Sequence, residues 1–99
     1  MTITREMNGT TMTFRIEGSL DTLTAPALME ELEKDMDGAD ELILDFQGVP
    51  YISSAGLRVI VVAHREMEKK DGLVLKSLSK NVKSVIDLTG FNKALNIEE

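Results

Sequence analysis

Apolar and polar positions alternate most cleanly over Thr11 to Glu17, where Met12, Phe14 and Ile16 stand against Thr11, Thr13, Arg15 and Glu17. A period of two predicts a strand with one buried face. Thr2 to Met7 alternates more loosely, with Ile3, Arg5 and Met7 on one side. Asn8-Gly9 between these runs is a two-residue hairpin signal, so the two strands are expected to pair antiparallel. Gly18 to Thr24 is a loop of small and hydroxyl residues, and Thr24 can cap a helix in which Pro26 takes the second position. From Ala27 to Asp37 the period changes. Leu28, Leu32 and Met36 recur every four residues, with Met29 beside them and acids opposite, which predicts an amphipathic surface helix ended by Gly38.

Leu42 to Phe46 is a short apolar run of the length of a buried strand. Gln47-Gly48-Val49-Pro50 interrupts it, because Pro50 has no N–H to donate and restricts Val49. Tyr51 and Ile52 return to apolar character, and Ser53-Ser54 follow. Beyond them Val59-Ile60-Val61-Val62 would suit a strand. Length decides for a helix: Ala55 to Lys70 carries no turn signal after Gly56, and Arg65 to Lys70 are good helix formers. Leu57, Ile60, Val61, His64 and Met67 form its stripe, widened by Val59, Val62 and Ala63, so its N-terminal half is expected to be deeply buried. Strand, loop, two serines and helix place two hydroxyls where free N–H groups and a positive dipole end favour an anion such as phosphate.

Asp71-Gly72 reads as a turn and Leu73 to Leu78 as a further strand. Ser79 to Leu88 reads as a helix with Val82, Val85, Ile86 and Thr89 on one face and Gly90 as its stop. Phe91 to Ile97 is a tail, a last strand or a short helix. The order is ββαβαβα plus a tail. Two βαβ crossovers imply an α/β fold: a mixed, mostly parallel sheet with an N-terminal hairpin and helices packed against it. At 99 residues the chain is expected to form one domain, residues 1–99, with one core.

Composition removes several functions. There is no Cys, hence no disulfide framework, thiolate nucleophile or Cys-based metal site, which fits a reducing cytoplasm. No signal-peptide h-region opens the chain and no run approaches a membrane span. A net charge of −6 argues against nucleic-acid binding through phosphate neutralisation. The charge is unevenly placed: residues 1–50 hold eleven acidic and three basic side chains, and residues 51–99 hold six and eight. Glu30 to Asp45 is the densest acidic run. It is either a solvated helix end and loop or a surface that steers a basic partner.

Chemistry is equally bounded. Ser54 and His64, the one histidine, lie ten residues apart on the predicted helix, about 15 Å, and no Gly-x-Ser-x-Gly elbow is present. A serine hydrolase is therefore rejected, and His64 is expected to be a partly buried helix residue. Glu33, Asp35 and Asp37 resemble the start of a calcium loop, but its twelfth position would be Leu44. No Gly-rich nucleotide loop occurs. No catalytic residue, metal or cofactor is assigned. Asp21 and Asp45 could flank the serine loop, or Asp21 could simply form a turn. Arg58 could contact a partner or Asp45, or be solvated.

Three stretches resemble one family in order and spacing: Gly18-Ser19-Leu20-Asp21-Thr22-Leu23-Thr24-Ala25, Asp45 to Leu57 with Tyr51-Ile52-Ser53-Ser54-Ala55-Gly56-Leu57 at its centre, and Val82 to Leu95 with Leu88-Thr89-Gly90-Phe91. Together they resemble STAS domains of bacterial anti-sigma factor antagonists. The resemblance implies an α/β fold and a non-enzymatic cytoplasmic switch. Such a protein binds an anti-sigma factor, typically a serine kinase of the GHKL type, and so releases a sigma factor. The kinase phosphorylates the serine loop, and a PP2C-type phosphatase reverses this. The family's usual loop reads Asp-Ser-Ser-Gly with the target serine before the glycine, and here that position is Ala55. The resemblance thus points to Ser54, then Ser53, as acceptor. It implies a contact surface of Asp21, Thr22, Ser53, Ser54, Gly56, Leu57 and Arg58. Ala55 also admits the alternative: a constitutive STAS binding module without a kinase cycle, in a larger signalling or transport assembly.

Overall fold

The computed structural model describes residues 1–98. Its strands are β1 (Thr2–Asn8), β2 (Thr11–Glu17), β3 (Glu41–Gly48), β4 (Gly72–Lys76) and β5 (Asn96–Glu98). Its helices are α1 (Ala25–Asp35), α2 (Ser54–Met67) and α3 (Lys80–Thr89). The sheet order is β1-β2-β3-β4-β5, with β1 antiparallel to β2 and all later pairs parallel. This is the α/β fold expected from the alternating patterns. The tail is both of its alternatives: a 3₁₀ turn at Phe91–Lys93, then β5.

Neighbouring strands in simple chain order, joined by helical crossovers of one hand, place every helix on the same side of the sheet. The core shows this. Met12, Leu42 and Leu73 are register partners, as are Phe14, Leu44 and Leu75. These side chains share one cluster with Leu28 and Leu32 of α1, Ile60, Ala63 and Met67 of α2, and Val82 and Ile86 of α3. Among the described residues, the other face of the sheet carries no helix.

Several boundaries differ from expectation for identifiable reasons. The hairpin turn is Gly9-Thr10, since Asn8 pairs with Thr11, and Gly9 takes φ +63° at the first central position. Helix α1 starts at Ala25 rather than Ala27, and Thr24 gives it no side-chain cap. Instead Asp21 carbonyl accepts from Ala25 N–H at 2.8 Å. Helix α2 ends at Met67 rather than Lys70. There the Lys70 ammonium donates to the carbonyls of Met36, Asp37 and Ala39 at 2.7, 3.0 and 2.8 Å. Asp71 N–H bonds the Asp40 carbonyl, so the chain turns to enter β4. Strand β4 ends at Lys76, ahead of Ser77 with φ +59°.

Candidate functional site

Two loops leave the C-terminal end of the sheet side by side. The first follows β2 and the second follows β3. They are joined as a one-residue extension of the sheet: Leu20 bridges Ile52 in parallel. Leu20 N–H donates to the Tyr51 carbonyl and Ser53 N–H to the Leu20 carbonyl, both at 2.9 Å. Leu20, Val49 and Ile52 are each at most 1% exposed. The loops are therefore anchored by apolar burial, which leaves their polar residues outside. Below them Gly18 N–H bonds the Gly48 carbonyl at 2.9 Å.

Gly56 is what allows this approach. A Cβ there would stand 2.7 Å from both Cγ and the carbonyl oxygen of Leu20, and 2.9 Å from Ile52 Cγ1. No side chain fits where the first turn of α2 crosses the Leu20 strand bridge. Ser53 is the N-cap, in extended conformation, and its hydroxyl accepts from Gly56 N–H at 3.4 Å. Ser54 is the first residue of α2 and is exposed. Ala55 behind it is half-buried.

Asp21 organises the neighbouring loop. Its Oδ1 accepts from the N–H groups of Leu23 and Thr24 at 3.0 and 3.1 Å. The bond from Thr24 N–H is the chief reason its carboxyl lies below the usual range. The Thr24 hydroxyl donates to the Ser19 carbonyl at 2.8 Å and accepts from Asp21 N–H at 2.9 Å. This small network turns the chain into α1 and holds Thr22 and Leu23 outward.

Between the starts of α1 and α2 lies an open groove of about 530 Å³. Ala25, Pro26, Met29, Val59 and Val62 form its apolar walls, and Thr22, Ser54 and Arg58 its polar rim. Arg58 is exposed and makes no ion pair among the described residues. Asp45 pairs with Arg15, at 3.8 Å, so of the three alternatives for Arg58 the contact with Asp45 does not form.

The structure thus gathers Asp21, Thr22, Ser53, Ser54 and Arg58 at one end of the molecule. Gly56 and Leu57 need correction as contact residues. Both are buried, Gly56 on the first turn of α2 and Leu57 at 5% exposure within the core, so they position the loop and offer a partner little surface. The sequence reading missed Leu23, which is 88% exposed in the loop before α1. The loop carries two leucines, Leu20 and Leu23, and sequence alone does not say that the first is buried and the second exposed. Val62, read as part of the buried stripe, is 38% exposed and lines the groove. His64 sits toward the other end of α2, with Nε2 3.4 Å from Glu68 Oε1. No group of three or more metal-ligating side chains is clustered among the described residues. No helix of them is long and apolar enough to cross a membrane.

The STAS domain model matches residues 2–99. The chain belongs to the STAS domain family. A Bordetella bronchiseptica relative, provisionally named anti-sigma factor antagonist BtrV, is 35% identical over 78 residues, 77% of this chain and 67% of that protein. An anti-sigma factor antagonist from Mycobacterium paratuberculosis superposes with a TM-score of 0.89 at 23% identity, covering 98% of this chain and 84% of its own. The Bacillus cell-fate determinant SpoIIAA in its phosphorylated form superposes with a TM-score of 0.75 at 19% identity, covering 97% and 90%. At these identities the solved structures speak for the STAS fold alone.

Proposed function

We propose that this STAS domain is an anti-sigma factor antagonist, a binding protein of the bacterial cytoplasm rather than an enzyme. The name of the Bordetella relative supports the reading. The observation that carries the switch is the exposed Ser54 hydroxyl on the first turn of α2, on the rim of an apolar groove. The partner is an anti-sigma factor, a serine kinase of the GHKL type. It docks on Thr22, Leu23, the groove walls and Arg58, and phosphorylates Ser54. A PP2C-type phosphatase resets the site. Ser53 is the weaker acceptor, since its oxygen already caps the helix.

Phosphate on Ser54 adds about −1.5 to −2 charges at pH 7. At the start of α2 the dianion is favoured by the helix dipole, by about 0.3–1 kcal/mol at an exposed site. The fold therefore tolerates the modification. The partner does not: an apolar groove mouth that must shed water on docking would have to desolvate a dianion. Binding is lost while the domain stays folded.

Ala55 in the family's usual acceptor position favours a second reading, a constitutive STAS module in a larger signalling or transport assembly. Phosphosite mapping by mass spectrometry on the protein from its native cells, with and without stress, separates the two. Phosphate on Ser54 that changes with conditions is expected. A chain unmodified under every condition, with partner capture indifferent to ATP, would replace the switch by the constitutive module.

A further inference from the structure

Strands β2 to β5 are all parallel, yet every helix packs on one side of them. Parallel sheets are ordinarily covered on both faces. On the bare face Ile43 and Val74 are register partners at the middle of the sheet. Ile43 is half-buried, Val74 is 7% exposed, and neither belongs to the helix-side core. Thr13 and Asn96 continue that row on β2 and β5. In the next row, Arg15, Asp45, Lys76 and Glu98 are partners in successive strands. Charge therefore alternates plus, minus, plus, minus from β2 to β5, with Arg15 Nε 3.8 Å from Asp45 Oδ2.

We propose that this face is the interface of a weak homodimer. The second copy docks by a twofold rotation about an axis parallel to the strands, lying between the two sheets above the gap between β3 and β4. An alternating row with an even number of members is its own complement under that rotation. Arg15 of each copy meets Glu98 of the other, and Asp45 meets Lys76. The same operation sets Ile43 against Val74 and Thr13 against Asn96, so an apolar centre is bordered by paired charges. Aligned sheets cross at about 30°. With strands about 4.8 Å apart, the offset grows to about 4 Å at β2 and β5, a distance the Arg15 and Glu98 side chains span.

Strands β2 to β5 run seven, eight, five and three residues, so the face is about 19 Å wide and tapers from roughly 26 Å along β3 to about 10 Å along β5. That is small for a stable interface and sets the dimer in the weak class. Because the axis runs along the strands, both serine loops emerge at the same end, and both helix layers face outward.

Sedimentation velocity from 10 μM to 1 mM tests the dimer, with amide NMR to confirm that each variant is folded. Asp45→Lys alone opposes two lysines across the axis, and Lys76→Glu alone opposes two carboxylates. Each is expected to weaken association at least tenfold. Mixed one to one, the two variants restore opposite charges at all four central positions, and a heterodimer at least as tight as the wild type is expected. In the wild type, concentration-dependent shifts should centre on Thr13, Ile43, Val74 and Asn96. A wild type monomeric at 1 mM, single variants that still dimerise, a mixture that does not, or shifts on the helical side would each overturn the proposal.

Discussion

Gly56→Ala is the sharpest test of how the two loops are held. At most helix positions this change is favourable, by at most about 1 kcal/mol. Gly56 has no positive φ that would penalise a side chain. The added methyl would lie 2.7 Å from Leu20 Cγ and from the Leu20 carbonyl oxygen, and 2.9 Å from Ile52 Cγ1. All three neighbours belong to residues at most 1% exposed, so none can move into solvent. Overpacking of this kind costs about 1–3 kcal/mol. Retreat of Leu20 also stretches its bonds to Tyr51 and Ser53, each worth about 1 kcal/mol net. The balance is a loss of about 2 kcal/mol, and with about 4–8 °C per kcal/mol for a domain of this size, roughly 8–16 °C in Tm. Urea and thermal unfolding read it directly. Gly38→Ala is the control, since a Cβ there meets nothing within 4 Å and φ is not positive; it should be neutral or slightly stabilising. A Gly56→Ala protein as stable as the Gly38→Ala protein would refute the close-approach reasoning.

Other consequences are independent of that one. Ser53→Ala should lose about 0.5–1 kcal/mol in urea unfolding as its cap is removed, while Ser54→Ala should stay within about 0.5 kcal/mol and abolish phosphate incorporation. Lys70→Met strips three carbonyls of one ammonium, and a loss of about 1–3 kcal/mol is expected in the same assay; a neutral result would mean water replaces the ammonium without cost. Asp21, through Thr24 N–H, and Glu31, through the Arg5 guanidinium, both have carboxyls held below their ordinary values of 3.8 and 4.5. A depressed carboxyl contributes its stability above the unfolded value and loses it as pH falls through the folded one. The fall in Tm from pH 5 to pH 2.5 should therefore be shallower in an Asp21→Asn, Glu31→Gln double variant, and an unchanged slope would remove these carboxylates from the acid limb.

Periodicity carries local information, and the elements that depend on it were legible. The alternation of Met12, Phe14 and Ile16, the four-residue spacing of Leu28 and Leu32, and the stop at Gly90 mark elements that the structure contains. The serine loop was legible as strand, break, cap and helix. Which serine caps was not, because either hydroxyl suits an N-cap locally; the Leu20–Ile52 bridge and the crowding at Gly56 place Ser53 there and leave Ser54 outside. Leu57 and Val62 illustrate the same limit. Both belong to one broad apolar stretch of α2, yet Leu57 is buried in the core and Val62 is open to the groove.

By itself, then, the sequence determined the kinds and order of the elements, since these follow from side-chain period and from turn residues. It also determined the family, through three short stretches that the domain match later joined. Only the tertiary structure decided what faces water. The groove beside Ser54, the inward turn of Gly56 and Leu57, and the alternating charges across Arg15, Asp45, Lys76 and Glu98 all arise from strand register and helix docking. Those relations join residues tens of positions apart, and no local pattern of hydrophobicity encodes them.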